Sequence, residues 1–233
     1  MKKACEMTRD ELASYVDYAV LKPELTEEEL IEATKKGVEL KVRNVCISPA
    51  YLSLLAPYVE GTETKLSPTA DFPFGASSTA SRIGQLKEEV AYDCVDEIDI
   101  VMQYGLLKSG KDKEVIEDLK ACTDFCHQYG KQLKVILETD ALSEDEIIRG
   151  CHCVMDAGAD FVKTSTGFLT GHELRGAASD VVALLIKEVN GTCKVKGSGS
   201  IRTREHFLEL IDMGTDRLGV NWTSAISILE EQA

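Results

Sequence analysis

The sequence is short of positive charge and has no long apolar segment. Its 233 residues include 26 Lys and Arg against 40 Asp and Glu, a formal net charge of −14. Surfaces that bind nucleic acids or anionic membranes need clustered Lys and Arg, so this balance argues against both partners. No run approaches the ~20 apolar residues of a membrane span, and none follows the two lysines at Lys2 and Lys3. We therefore expect a cytoplasmic protein with an acidic exterior.

The paired Cys-x-x-Cys spacing of a zinc site is also missing. The nearest approaches are Cys122 and Cys126 beside His127, and the Cys-His-Cys segment at 151–153. Neither has the spacing of a structural zinc site. Most of the eight cysteines fall in segments of helical pattern, where free buried thiols are the usual outcome in a reducing compartment. We predict no metal and no disulfide.

Short β-branched or apolar runs alternate with longer segments of helical period, as expected of βα units. Eight runs predict strands, at 17–21, 44–48, 65–71, 97–102, 133–139, 161–165, 194–198 and 217–221. Eight strands and this chain length suit a closed barrel. The sequence therefore predicts an α/β fold, a (β/α)8 TIM barrel with residues 1–233 as a single domain. An extra N-terminal helix at about 9–16 is expected to plug or flank the barrel bottom.

The predicted helices have recognisable ends. Capping boxes at 26–29 and 143–146 indicate helix starts, and glycines at 37, 130, 158, 191 and 214 indicate helix ends. An open doubly wound sheet is the alternative architecture, but it usually has a glycine-rich loop after its first strand. Here that strand is followed by Leu-Lys-Pro-Glu-Leu at 21–25, without glycine. This absence favours the barrel.

Two lysines, Lys163 and Lys196, lie inside predicted strands. Strands of a buried parallel sheet are normally apolar, and an ammonium in their interior is costly to desolvate. A strand lysine can instead reach solvent at the rim, but each of these two precedes a Gly/Ser/Thr-rich turn typical of the active end of a barrel. A buried lysine near a second cation loses its proton more easily and can then attack a carbonyl to form a Schiff base. The pair therefore predicts carbonyl chemistry.

Other candidates come from the carboxyl ends of the strands, which converge on one pocket in a barrel. Asp99 lies between Ile98 and Ile100 and is expected to point into the barrel, either to move protons or only to neutralise a lysine. Cys46 is expected to line the core or the pocket, because no histidine is predicted beside it. The remaining candidates are Asp17, Asp71 and Glu138 as acceptors or partners of interior cations, together with Arg202 and Asn221.

Three turns offer backbone amides to an anion. They are 165–167, 197–200 and the region after Gly219. Exposed amides in such turns bind phosphate oxygens, and the last two barrel strands are the usual place. Gly167, Gly199, Ser200 and Gly219 are therefore predicted to bind substrate together with Arg202. Asp17, Cys46 and Asn221, at the same end of the barrel, complete the eight residues predicted to bind substrate. The same glycines would also serve as tight turns without a ligand.

Several segments, in order along the chain, form a recognisable set: DYAVLKP (17–23), FPFG (72–75), DEIDIV (96–101) with LKSG (107–110), KVILET (134–139), FVKTSTGF (161–168) and VKGSGSIRT (195–203). Together they resemble deoxyribose-phosphate aldolase, from residue 17 to about 219. The resemblance implies a class I aldolase that needs no metal or other cofactor and reversibly cleaves 2-deoxyribose 5-phosphate into acetaldehyde and glyceraldehyde 3-phosphate. It implies that Lys163 forms the Schiff base, that Lys196 lowers the pKa of Lys163, and that Asp99 relays protons.

The chain departs from the family pattern at four places. The first strand usually reads Asp-His-Thr but is Asp-Tyr-Ala at 17–19, so a hydroxyl expected to face the substrate is missing. The phosphate-binding glycine pair is Gly-Ser at 199–200, and Gly-Val-Asn-Trp at 219–222 replaces a serine-bearing turn. Some members end in a tyrosine that assists proton transfer, whereas residues 230–233 are Glu-Glu-Gln-Ala, so water and Asp99 are expected to move the proton. We expect intact catalysis with altered phosphate recognition, because Trp222 and Asn221 stand where small hydroxyl residues usually meet the phosphate and would shrink, shift or abolish that site.

Two alternatives stay open beside this interpretation. One is a related Schiff-base aldolase whose acceptor aldehyde carries a different phosphate or none. The other is a non-catalytic barrel that binds a metabolite or a partner protein, although a binder has no need of Asp99, Lys163 and Lys196 together. The expected ligand is a small phosphorylated sugar or aldehyde, and the sequence leaves a homodimer or a homotetramer open.

Overall fold

Eight parallel strands close into a barrel in the order of the chain. The computed structural model describes residues 2–230, so the C-terminal residues behind the proton-transfer expectation lie outside the described part, apart from Glu230. The strands are β1 Val16–Val20, β2 Asn44–Ile47, β3 Lys65–Ala70, β4 Glu97–Val101, β5 Gln132–Ile136, β6 Phe161–Lys163, β7 Lys194–Ser198 and β8 Arg217–Asn221. The predicted (β/α)8 barrel is confirmed, and the open doubly wound alternative is wrong.

Strand pairing sets which residues meet inside the barrel. β8 pairs back onto β1, with Ala19 opposite Asn221, and Lys163 of β6 lies opposite Lys196 of β7. β5 ends earlier than predicted, and Glu138 just beyond it adopts a left-handed backbone with φ of 61°. An extended strand cannot continue through that conformation. Because β6 and β7 pair in the register that sets Lys163 opposite Lys196, the two strand lysines lie at the same level of the sheet.

Helices cover the outside of the barrel. They are α1 Arg9–Ala13, α2 Glu27–Glu39, α3 Leu52–Val59, α4 Thr79–Glu89, α5 Tyr104–Lys108, α6 Asp112–Gln128, α7 Glu144–Asp156, α8 Ser179–Val189, α9 Arg204–Met213 and α10 Trp222–Glu230. Both predicted capping boxes are present, at the starts of α2 and α7. Among the helices of residues 2–230, none is both long and apolar enough to cross a bilayer.

Of the five glycines predicted to end helices, the prediction is wrong for one, Gly37. Gly37 lies inside α2, where a Cβ would come within 3.0 Å of Val45 Cγ2 and 3.3 Å of Tyr18 Cδ1. Its role is to let the helix approach the barrel, a packing requirement that local sequence does not reveal. The predicted N-terminal helix is confirmed but shorter, because β1 already begins at Val16. Ala13 is buried and its carbonyl accepts a hydrogen bond from the Arg43 amide, so α1 flanks the barrel.

The last residue of α4, Glu89, is a buried carboxyl group on the outer side of the sheet. Within residues 2–230 neither carboxylate oxygen has a hydrogen-bond partner, and the residue is fully buried. Burial, with smaller contributions from Glu88 and Asp99, raises the pKa of Glu89 to about 8. Because the folded-state pKa is above the unfolded value, this group contributes stability below about pH 4.5, and that contribution is lost as pH rises toward 8.

Replacing Glu89 with methionine is expected to stabilise the protein at alkaline pH. The variant should gain roughly 2–4 kcal/mol in free energy of unfolding at pH 8, since each unit of pKa shift corresponds to about 1.4 kcal/mol. Urea unfolding at pH 5 and pH 8 measures the effect, and the gain should be much smaller at pH 5. The exposed neighbour Glu88 provides the matched control, Glu88→Met. Equal pH dependence in all three proteins would contradict the expectation.

Candidate active site

A cavity of about 290 Å³ opens at the carboxyl end of the barrel. It is bounded by strand ends and the loops that follow them: Asp17, Ala19, Leu21, Lys22, Cys46, Lys163, Thr166, Gly167, Phe168, Lys196, Ser198, Gly199, Ser200, Ile201, Arg202, Gly219, Asn221 and Ser224. All eight residues predicted to bind substrate line this cavity, as do both strand lysines. Asp99 lies against those lysines in the barrel interior.

Lys163 and Lys196 share one carboxylate. Lys163 Nζ donates to Asp99 Oδ2 at 2.7 Å, and Lys196 Nζ donates to the same oxygen at 2.8 Å. Asp99 is fully buried, and the Lys163 side chain is 4% exposed. Both lysines reach the cavity, so a substrate carbonyl can approach them directly.

The two lysines differ in how firmly they hold a proton. Burial lowers the pKa of Lys163 and the neighbouring Lys196 lowers it further, and together they outweigh Asp99 and Cys46, which raise it. Burial also acts against a charged Lys196, but Asp17 and Asp99 outweigh it and raise the pKa of that lysine. Of the pair, Lys163 is therefore the amine that is more readily neutral and nucleophilic.

Asp17 is a partner of interior cations, one of the two roles the sequence left open. Its carboxylate contacts Lys196, and it accepts hydrogen bonds from Lys134 Nζ at 2.8 Å and Asn44 Nδ2 at 2.7 Å. Burial would raise the pKa of Asp17, but the Lys134 and Lys196 ammonium groups hold it well below its usual range. The group is a fixed negative charge under the cavity.

Sequence reasoning missed the third buried lysine, Lys134 on β5. Its ammonium lies 2.8 Å from Asp17 Oδ2, 2.8 Å from Glu97 Oε2 and 3.2 Å from Asp99 Oδ1. The available signal was the same as for the other two, a lysine within an apolar strand. No Gly/Ser/Thr-rich turn follows Lys134, so the pattern that distinguishes Lys163 and Lys196 does not extend to it. Lys134 lies deeper than the cavity and links carboxylates on β1 and β4.

Cys46 lines the cavity from β2 as a thiol. It is 3% exposed, and burial raises the pKa of Cys46 to about 12. At neutral pH such a group is protonated and a poor nucleophile. All eight cysteines are unpaired.

Two of the candidate carboxylates do not reach the cavity. Asp71 accepts hydrogen bonds from Ser77 and from the buried guanidinium of Arg82, which also contacts Asp118 on α6. The expectation that Asp71 joins the pocket is therefore wrong, because its left-handed backbone, with φ of 49°, turns the chain away at the end of β3. Asp71 instead neutralises the Arg82 cation on the outer side of the sheet. Glu138 accepts from the amide and hydroxyl of Thr166 and so holds the loop after β6.

Trp222 does not fill the turns that are predicted to bind an anion. Its half-buried ring packs against the apolar core as the first residue of α10, so the expectation that it blocks the cavity is wrong. Asn221 caps this helix, since its Oδ1 accepts from the Thr223 amide at 3.1 Å. Ser224, one turn into the helix, lines the cavity instead. A hydroxyl is thus present near the end of β8 although the expected serine-bearing turn is absent.

The loop after β6 crosses the turn after β7 with the two backbones in contact. The Ala177 amide donates to the Gly199 carbonyl at 2.9 Å, and Ser200 Oγ donates to the Leu174 carbonyl at 3.1 Å. A Cβ at Gly176 would lie 2.5 Å from the Gly199 carbonyl carbon. Gly176 also has φ of 54°, a conformation that glycine adopts without steric cost. The position of Gly199 therefore depends on residues outside the cavity.

A closed barrel with buried, unequal lysines at its carboxyl end is the architecture of a (β/α)8-barrel enzyme. Residues 60–221 match the family model described as DeoC/LacD family aldolase. The chain is 37% identical over 226 residues to the deoxyribose-phosphate aldolase of Caldicellulosiruptor saccharolyticus, covering 97% of this chain and all of that protein. It is also 37% identical over 210 residues to the deoxyribose-phosphate aldolase of Clostridium botulinum strain Kyoto, covering 90% and 96% of the two chains.

Solved structures give the same result. The aldolase QR15 superposes with a TM-score of 0.86 at 36% identity, over 94% of this chain and 95% of that one. The tetrameric deoxyribose phosphate aldolase of Aeropyrum pernix superposes with a TM-score of 0.85 at 25% identity, over 96% and 91%. The chain belongs to the DeoC/LacD aldolase family.

Proposed function

We propose that this chain is a Schiff-base aldolase that reversibly cleaves 2-deoxyribose 5-phosphate into acetaldehyde and glyceraldehyde 3-phosphate. The observation that carries the proposal is the position of Lys163, which lines the cavity and shares the Asp99 carboxylate with Lys196. The names of the relatives in C. saccharolyticus and C. botulinum support the substrate.

In the synthetic direction the neutral amine of Lys163 adds to the acetaldehyde carbonyl. The carbinolamine loses water to give an iminium ion, and loss of a proton from the adjacent carbon gives an enamine. The enamine carbon then forms the new bond to the carbonyl carbon of glyceraldehyde 3-phosphate, and hydrolysis of the resulting iminium releases the product and restores the amine. Asp99 contacts both lysines and is the proposed relay for these protons. Lys196 keeps its charge and disfavours a second cation at Lys163.

The anion-binding end of the cavity supports a phosphorylated acceptor. Gly167, Gly199 and Gly219 bring backbone to the cavity there, and the cations Lys22 and Arg202 line the same space. Charge-assisted hydrogen bonds from such groups are worth about 1.5–3 kcal/mol each. We propose that Ser200, Asn221 and Cys46 shape this end of the cavity.

One observation favours an altered acceptor as the second candidate. Ala19 faces the cavity where the resembled family usually presents a threonine hydroxyl. A lost hydrogen bond to the substrate weakens discrimination between related sugars by about 0.5–1.5 kcal/mol. The aldolase chemistry would then be retained with a different or unphosphorylated aldehyde.

Incubation with 2-deoxyribose 5-phosphate, followed by detection of glyceraldehyde 3-phosphate, tests the proposal. The kcat/KM for the phosphorylated sugar should exceed that for 2-deoxyribose by well over tenfold, because a single charge-assisted hydrogen bond already corresponds to about tenfold. A ratio near one, with activity on both sugars, would favour the second candidate. Folded protein that cleaves neither sugar would rule out both.

We also propose that residues 1–233 act as one cytoplasmic barrel domain that assembles into a homodimer or homotetramer. The tetramer of the A. pernix relative supports an assembly of this kind. Light scattering on the purified protein measures the mass directly, and a value of 25.6 kDa, that of one chain, would contradict it.

A further inference from the structure

Charged side chains, all of them buried except the partly exposed Arg217, extend from the cavity to the opposite end of the barrel. We call this set the interior charge chain; its members are Lys163, Lys196, Asp99, Asp17, Lys134, Glu97 and Arg217. Arg217 and Glu97 are the first residues of β8 and β4, so they lie at the amino ends of the strands. Arg217 does not line the catalytic cavity; it borders a separate shallow hollow with Tyr15 and Asp216.

Contacts along the interior charge chain are continuous. Arg217 Nη2 donates to Glu97 Oε1 at 2.7 Å, and the other oxygen of Glu97 lies 2.8 Å from Lys134 Nζ. Lys134 in turn contacts Asp17 and Asp99. Arg217 is thus three contacts away from the carboxylate that Lys163 shares: through Glu97, through Lys134 and then to Asp99.

The interior charge chain contains three carboxylates but four cationic side chains. Each carboxylate is at most 1% exposed, so solvent does little to screen an imbalance. Arg43 also lies 3.6 Å from Glu97, but it is partly exposed and pairs with Asp96 at the rim. The interior is neutral when one of the four cations has lost its proton.

Of the four cations in the interior charge chain, Lys163 loses its proton most easily. Within residues 2–230, Lys134 contacts three carboxylates and Lys196 contacts two, whereas Lys163 contacts one, that of Asp99. An arginine does not deprotonate in proteins, so Arg217 supplies a charge that no pH change removes. The proton therefore leaves from Lys163, at the cavity.

We propose that Arg217 is a positioning residue for catalysis, which fixes the charge balance of the barrel interior from its amino end and thereby keeps Lys163 in the amine form. This inference rests on the proposed Schiff-base function. Without Arg217, the three carboxylates would keep only Lys134 and Lys196 as buried cationic partners, with Arg43 at the rim, and the interior would favour a proton on Lys163. The other titratable groups that act on Lys163 are Asp99 on β4, Lys196 on β7, Cys46 on β2 and Glu138 after β5, and none of them changes in the variants below.

The test is the pH dependence of imine formation, measured as the rate at which cyanoborohydride and acetaldehyde trap the lysine. In Arg217→Met the midpoint of the alkaline rise should move up by about one pH unit, which corresponds to the loss of ~1.4 kcal/mol of repulsion between the Arg217 charge and a protonated Lys163. Arg217→Lys, which keeps the charge, should restore most of the wild-type midpoint. Lys194→Met is the matched control, because Lys194 begins β7 at the same end but is exposed and lies over the Phe161 ring.

Glu97→Gln provides an independent test, in which the pH midpoint of imine formation should shift in the opposite direction. Removing a carboxylate leaves an excess of cations, so the midpoint should move down, and the double variant Arg217→Met/Glu97→Gln should return close to wild type. A lower rate with an unchanged midpoint in Arg217→Met would assign the residue a merely structural role and overturn the inference. If Arg217→Met does not fold, an unchanged midpoint in Glu97→Gln would overturn it. Absence of any adduct in the wild-type protein would instead refute the proposed function itself.

Discussion

Substituting methionine for Lys163 should lower kcat/KM for 2-deoxyribose 5-phosphate by more than about 10³-fold, in line with the loss of a covalent nucleophile in other enzymes. Lys163 lines the cavity and has the weaker hold on its proton, whereas the proton of Lys196 is stabilised by two carboxylates. Methionine is close to lysine in length and apolar, so it fills the same space without leaving a buried charge unpaired. The variant should fold, with a free energy of unfolding at least as large as that of the wild type.

Covalent trapping gives the same prediction a second readout. Borohydride reduction of the wild-type protein with acetaldehyde should add a two-carbon unit to the peptide containing Lys163, as seen by mass spectrometry. The Lys163→Met protein should gain no adduct, and Lys194→Met should be labelled like the wild type. An adduct on Lys196 in the wild-type protein would show that the roles of the two lysines are reversed.

Lys196→Leu is expected to reduce activity near neutral pH by about 10²-fold and to move the alkaline rise of the rate upward by about two units. The sign follows from the contacts. Burial lowers the pKa of Lys163 and Lys196 lowers it further, while Asp99 raises it. Removing Lys196 takes away a repelling cation and leaves Asp99 more available to Lys163, so the pKa of Lys163 moves back toward ~10.4.

Lys196→Arg is the matched control for charge, and it should keep the alkaline rise closer to its wild-type position than Lys196→Leu does. Circular dichroism and thermal unfolding check that both variants keep the barrel. A Lys196→Leu protein with reduced activity but an unchanged pH profile would leave the electrostatic role of Lys196 without support.

The features that local sequence encodes were predictable. Strand period, capping boxes and the turns after β6 and β7 are short-range signals, and they were enough to predict the barrel and the interior positions of Lys163 and Lys196. The interior position of Asp99 followed from its place between two isoleucines. Each of these arguments needs only a few neighbouring residues and a known architecture.

The differences from the sequence predictions share a physical cause, because each depends on contacts between distant segments. Gly37 does not end a helix; its small size serves packing against Tyr18 and Val45. Trp222 does not line the cavity, because the first turn of α10 directs its ring to the core. The ion pair between Glu97 and Arg217 joins β4 to β8 across 120 residues of sequence, and no local sequence pattern predicts that contact.

Under the proposed function, the contact of Gly176 with Gly199 links the range of acceptor aldehydes to phosphate binding. Phe168, on the same loop as Gly176, lines the cavity, so reshaping that loop is the obvious route to admitting a bulkier aldehyde. The two glycines leave no room for independent movement, since even a methyl group at 176 would overlap the backbone at 199. Directed evolution toward larger acceptors should therefore select substitutions on the loops after β6 and β7 together. Variants altered only on the loop after β6 should admit bulkier aldehydes but bind phosphate more weakly.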